Sequence, residues 1–290
     1  MLGTLVVLYL FLGGCGAGVM FVTAAWSLAF HRTRTRTQEQ TAAFGDFEGP
    51  VLRHRVRHAV LGGAVPAARS GAPELAFLLF TRPTLSILSF GSFTLLASIL
   101  VSGFLAVANL MYVPFVRAGA RKAAEAACLA VSLCMMAYTG VYVGWIEAVA
   151  LWNNAATPAL FALSSLSAGV STVFVIAPFV RDVTRLSGWM LLLHRVHLAV
   201  LVLELVMLAG SCVRVLQPLR ARNRWRSCST RAGWARGSSW GWWAWGLLVP
   251  LAVEVFVTVT KRLVRALPVD LLCIAGGLVL RFCVVWSGMH

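Results

Sequence analysis

The stretch VGWIEAVALWNN, Val143 to Asn154, sets the carboxylate Glu147 between Trp145 and Trp152 and closes on the amides Asn153 and Asn154. A carboxylate at an interface can accept and release protons, and indole faces accommodate flat rings. The same types recur in FTRPTLSILSFGSF, Phe80 to Phe93, which carries Arg82, Thr84, Ser86 and Ser89, and in VVLYLFLGG near the start, which carries Tyr9. Donors and acceptors beside aromatic faces suit a flat apolar ligand with polar carbonyl ends, and a quinone fits that description. Each residue also has a structural explanation. Trp and Tyr favour membrane interfaces, Pro83 and Pro158 suit first helical turns, and Asn or Thr can cap helices. Their joint occurrence is what points to a pocket.

The elements that must hold these side chains follow from composition. With 59% hydrophobic and 12% charged residues over 290 positions, the chain is too apolar for a soluble domain. Its surroundings are membrane lipid, and nucleic acid is not expected as a partner. A spanning helix takes about 20 apolar residues. Seven such stretches run Leu2 to Phe30, Leu85 to Val113, Ala123 to Trp145, Pro158 to Val180, Gly188 to Val213, Trp240 to Val259 and Pro268 to Trp286.

Charge argues for an eighth helix, from Val51 to Ala67. Counting it places Arg32, Arg34 and Arg36, then Arg117, Arg121 and Lys122, then Arg181 and Arg185, then Lys261, Arg262 and Arg265 on one side. The positive-inside rule makes that side cytoplasmic and puts both termini outside the inner membrane. The expected fold is all-α: a polytopic membrane protein with eight helices in two four-helix bundles, residues 1–150 and 151–290. Gly13-Gly14-Cys15-Gly16-Ala17-Gly18-Val19 and Ser164-Ser165-Leu166-Ser167-Ala168-Gly169-Val170 align in register, which fits a parallel repeat. Small residues at helix crossings could produce the same match.

Two stretches break the pattern, RHRVRHAVLGGAVPAARSG in helix two and RNRWRSCSTRAGWARGSSWGWW between helices six and seven. Both are rich in Arg, Ala, Gly and Ser. Out-of-frame translation of a GC-rich coding sequence explains them, as does a basic loop that contacts an acidic partner.

Ionisable residues inside spans are costly and are functional candidates. Glu204 on helix six and Arg281 on helix eight fall at similar depth, and Glu254 on helix seven falls near His194, Arg195 and His197. Two ion pairs are expected, serving either charge compensation or a proton path. The seven Cys form no CxxC pair, so no iron–sulfur or zinc site is expected in this chain. A haem is not expected either, because His194 and His197 stand three apart on one helix and cannot supply ligands from opposite sides.

YLFLGGCGAGV, FLLFTRPTLSILSFGSF, LWNNAATPALFALSSLSAGVS, GLLVPLAVE and IAGGLVLRFCVVWSG together resemble the polysulfide reductase membrane-subunit family, also called NrfD-like. The resemblance spans nearly the whole chain and departs at the two Arg-rich stretches. It implies eight helices in two bundles, a four-cluster ferredoxin-type iron–sulfur partner and a molybdopterin catalytic subunit. Menaquinone or another quinone would be the carrier. Tyr9, Arg82, Ser86, Ser89, Trp145 and Glu147 would then form a quinol pocket at the outer face, and Trp152, Asn153 and Asn154 the partner-facing mouth. The terminal substrate would be polysulfide, thiosulfate, tetrathionate, a sulfoxide or nitrite. A transporter or channel that works without redox partners is the alternative, since repeats and buried charges occur there too.

Overall fold

The computed structural model describes residues 4–33, 37–69, 87–110, 118–144, 156–180, 182–221, 233–261 and 267–287. Eight α-helices run through these residues: α1 Thr4–Arg32, α2 Gln38–Arg69, α3 Ile87–Leu110, α4 Ala118–Gly144, α5 Ala156–Ile176, α6 Ser187–Ala221, α7 Gly233–Thr260 and α8 Leu267–Ser287. Two short 3-10 turns, Ala177–Phe179 and Val183–Leu186, join α5 to α6.

Six helices contain segments long and apolar enough to cross a membrane: Val7–Arg32, Ser89–Ala108, Gly119–Gly144, Ala156–Phe179, Val183–Gly210 and Leu267–Val285. The chain is a multi-pass membrane protein. The described part of α7 adds a shorter apolar run, Trp245–Thr260. The segment expected as the eighth span lies in α2. It is helical, but Arg53, His54, Arg55, Arg57 and His58 leave it too polar to join that set. What starts α2 is local: Gln40 N–H donates to Thr37 Oγ1 and Thr37 N–H donates to Gln40 Oε1, both at 3.2 Å. Such a reciprocal capping box satisfies two backbone donors that a helix start otherwise leaves open.

Helices α1 and α5 form the centre. They cross at the small residues that align in sequence. A Cβ on Gly18 would run into the backbone of Ser165, and one on Gly169 into the backbone of Gly18. Glycine is required there because the two backbones touch, and in a membrane such close approach maximises dispersion contact. A second glycine pair, Gly246 and Gly276, does the same for α7 and α8.

At the end where α1 stops and α6 starts, Trp26, Phe30, Phe44, Phe47, Phe174 and Met190 form one apolar cluster. Phe30 stacks on Phe44 with centroids 4.2 Å apart, which fastens α2 to α1. In contrast, Phe90, Phe93, Leu100 and Phe104 of α3 are exposed, as a lipid-facing helix surface must be. The two ends of the helix assembly are named below for residues near them, the Tyr9 end and the Lys261 end.

Candidate functional site

At the Tyr9 end, α1, α3 and α4 bring together Tyr9, Phe90, Tyr138 and Tyr142. Three of the chain's four tyrosines therefore meet in one place. The Tyr138 and Tyr142 ring centroids lie 6.1 Å apart, and the Phe90 ring lies 6.3 Å from that of Tyr138. Gly91 lets α3 close on this group, because a Cβ there would enter the Tyr138 ring. Tyr138 is 2% exposed, and its hydroxyl faces Tyr9 without a well-formed hydrogen bond among the described residues. A buried hydroxyl normally finds a partner.

Of the residues that the sequence reading puts in the pocket, Tyr9 packs with Tyr138 and Tyr142, and Ser89 is buried on α3. Arg82, Ser86, Trp145, Glu147, Trp152, Asn153 and Asn154 lie outside the described residues. Tyr138 and Tyr142 are absent from that reading. Their i, i+4 spacing in YTGVY puts both on one face of α4, and that periodicity is the signal that could have found them.

A second polar group runs through α5, α6, α7 and α8. His194 Nδ1 and His197 Nδ1 donate to the two oxygens of Glu254 at 2.8 and 2.7 Å. His197 Nε2 faces Ser171 Oγ at 3.4 Å and Cys273 Sγ at 3.9 Å, and Cys273 Sγ lies 3.3 Å from Ser167 Oγ. Ser167 and Ser164 are the polar neighbours of Glu204. Beyond them Arg281, fully buried, donates to Ser164 Oγ at 3.3 Å, Ser165 Oγ at 2.6 Å, Phe161 O at 3.3 Å and Gly277 O at 3.1 Å. Its guanidinium also lies 5.6 and 5.3 Å from the Phe11 and Phe161 ring centroids. Aromatic faces attract such a desolvated cation.

Two expectations need correction. Arg195 is exposed on α6 and takes no part in the Glu254 cluster, since it precedes the buried His197 by two residues and so points to another face of the helix. Glu204 and Arg281 share a region, but among the described residues they form no direct ion pair. Ser164 lies between them, and neither Glu204 Oε2 nor Arg281 Nε has a hydrogen-bond partner.

A third cluster, at the Lys261 end, also escapes the sequence reading. Arg121 Nη2 meets Glu48 Oε2 at 2.6 Å and Arg121 Nε meets Glu125 Oε1 at 3.3 Å. Ser27 Oγ donates to Glu125 Oε1 at 2.6 Å, with Glu48 Oε1 at 3.3 Å. Arg121 and Glu125 are an i, i+4 pair that sequence could show, whereas Ser27 and Glu48 join only through packing.

A family model described as "Polysulphide reductase, NrfD" matches residues 1–290. The chain belongs to the NrfD family. Members of this family are membrane subunits of oxidoreductase complexes and work with other subunits. The NrfD-family chain is also 24% identical over 170 residues to Protein NrfD of Escherichia coli (strain K12). That match covers 57% of this chain and 52% of the relative, so it spans about half the length of the curated protein it resembles.

Proposed function

We propose that this NrfD-family chain is the membrane anchor and quinol-oxidising subunit of a molybdopterin and iron–sulfur oxidoreductase in the inner membrane, with both termini outside. Its partners are a ferredoxin-type iron–sulfur subunit and a molybdopterin catalytic subunit. The complex is of the polysulfide, thiosulfate, tetrathionate, sulfoxide or nitrite reductase type.

The observation that carries this reading is the buried Tyr138 hydroxyl, which among the described residues lacks a well-formed hydrogen bond in an aromatic setting with Tyr9 and Tyr142 close by. That environment fits the oxygen of a flat apolar ring better than it fits plain helix packing, which would leave the polar atom out. Menaquinol or another quinol bound there supplies two electrons and two protons. Tyr138 and Tyr9 orient the ligand by hydrogen bonding, Phe90 and Tyr142 exclude water, and Arg82, Ser86, Ser89 and Trp145 complete the pocket. Glu147 accepts a proton at its carboxylate, and Trp152, Asn153 and Asn154 form the mouth toward the partner.

The test is quinol-linked turnover of the assembled complex with Tyr138→Phe and, separately, Glu147→Gln. Each should lower turnover by roughly tenfold or more, equivalent to about 1.4 kcal/mol, while an artificial dye donor to the catalytic subunit still supports full activity. Unchanged quinol-linked turnover in both variants would remove the pocket from this end of the helices.

A further inference from the structure

Glu48 enters the ion cluster at the Lys261 end with one oxygen well supplied and one poorly. Its Oε2 accepts from Arg121 Nη2 at 2.6 Å, whereas its Oε1 lies 3.3 Å from Ser27 Oγ. The Ser27 hydroxyl carries a single hydrogen, and Glu125 Oε1, at 2.6 Å, is the closer acceptor for it. Among the described residues, Glu48 Oε1 is therefore left without a donor of its own.

Trp26 has the opposite need. It is 7% exposed, and its indole N–H has no hydrogen-bond partner among the described residues. An indole nitrogen only donates, so an acceptor is what it lacks.

The two groups line one cavity. It lies between α1 and α2, with Thr23 and Trp26 on one side and Phe44, Glu48 and Val51 on the other, and it has room for about one water molecule. The helical period puts each set on a single face, since Thr23 and Trp26 stand three apart and Phe44, Glu48 and Val51 four and three apart. Thr23 Oγ1 directs its own hydrogen to Val19 O at 2.7 Å and so faces the cavity as an acceptor.

We propose that this cavity is a binding site for one small neutral molecule that both accepts and donates hydrogen bonds, and that its occupant is a buried water. The water accepts from Trp26 Nε1 and donates to Glu48 Oε1 and Thr23 Oγ1, which gives it the three partners usual for a buried water. It extends the ion cluster into one network, from Trp26 through the water and Glu48 to Arg121 and Glu125, that ties α1 to α2 and α4. A ligand thus helps to seat α2, the helix whose charges keep it out of the set of apolar spans.

Two rival arrangements fit less well. Glu48 and Glu125 outnumber Arg121, which would favour a cation, yet a cation in the cavity would face the indole hydrogen and be repelled by it. The Phe44 ring meets Trp26 edge to face with centroids 5.8 Å apart, but an N–H held against a ring is a weak contact and leaves Glu48 Oε1 unsupplied. The inference does not rest on the proposed quinol pocket.

The experiment uses the full chain in detergent micelles with isotope-labelled indole nitrogens. Magnetic resonance identifies the Trp26 indole proton as the signal that Trp26→Phe removes. In the wild type that proton should exchange slowly with deuterium and show a nuclear Overhauser cross-peak to water. Val51→Ile, which adds a carbon to the cavity wall, should abolish the cross-peak while the indole signal stays and moves upfield. Val51→Ala, which keeps the space, should retain the cross-peak and controls for misfolding. Sodium or ammonium chloride should leave it unchanged. A wild-type indole proton with no water cross-peak, cross-peaks to detergent chains in its place, loss of the cross-peak on adding either salt, or an unchanged cross-peak in Val51→Ile would overturn the proposal. Quinol-linked turnover plays no part in the assay, so its result is separate from that of the Tyr138→Phe test.

Discussion

The Arg281 guanidinium donates to Ser165 Oγ at 2.6 Å, and Ser165 is also the residue whose backbone meets Gly18 at the centre of the fold. One position of α5 therefore carries both a close backbone contact with α1 and a hydroxyl that holds a fully buried cation from α8. Packing and polarity depend on each other at this point, because any shift of α5 away from α1 also moves the hydroxyl.

Gly18→Val should consequently be among the most damaging single substitutions. Its side chain would enter the Ser165 backbone, where no flexible group can give way, and overpacking of this kind costs about 1–3 kcal/mol or more. Gly103→Ala, on α3 with open space around it, should change stability by less than about 0.5 kcal/mol. Thermal unfolding of the two purified variants in detergent compares them directly.

Replacing Arg281 with Ala should destabilise the chain by about 3–5 kcal/mol, since Glu204 loses a neighbouring cation while staying buried. Adding Glu204→Gln should recover part of that loss. The recovery should be smaller than for a direct ion pair, because Ser164 separates the two groups. A double-mutant cycle on unfolding free energy measures the coupling. Additive single effects would show that the groups act independently.

Glu254 accepts from two imidazoles, one on each oxygen. Glu254→Gln keeps the size but replaces one acceptor by a donor that faces a ring N–H, leaving a buried group unsatisfied at a cost of about 1–3 kcal/mol. His194→Ala added to the Glu254→Gln variant should then cost less than His194→Ala in the wild type. Chemical unfolding of the four proteins supplies the numbers.

The ion clusters at the Lys261 end should separate by burial. Arg121→Ala leaves Glu48 and Glu125 facing each other around Ser27, and Glu125 is only 3% exposed, so a loss of about 2 kcal/mol or more is expected. Arg185→Ala breaks a pair with Glu39 whose side chains are 43% and 73% exposed, so it should cost less than about 1 kcal/mol. Membrane-level yield and unfolding temperature of the two variants test the contrast.

Much of this architecture is written along the chain. Runs of apolar residues of spanning length can only be buried as helices in lipid, because the bilayer offers no partner for open backbone groups. The spans and their number up to the irregular α2 therefore follow from local composition. Buried charge is legible for the same reason: Glu204, Glu254 and Arg281 interrupt apolar runs, and each had to find polar company. Depth arithmetic brings Glu254 to His194 and His197, since the positions along straight helices are fixed by a constant rise.

Lateral arrangement is a different matter. Which residues meet across helices depends on the rotation of each helix about its axis, and packing against neighbours sets that rotation. Sequence spacing thus puts Glu204 level with Arg281 but could not show Ser164 between them, nor that Arg195 turns away from Glu254. It could not assemble Ser27, Glu48, Arg121 and Glu125, which come from three helices and meet only once α2 docks through Phe44 and Phe47. Nor could it show that Tyr138 and Tyr142 face Tyr9, because Gly91 has to bring α3 against the Tyr138 ring before the group can close.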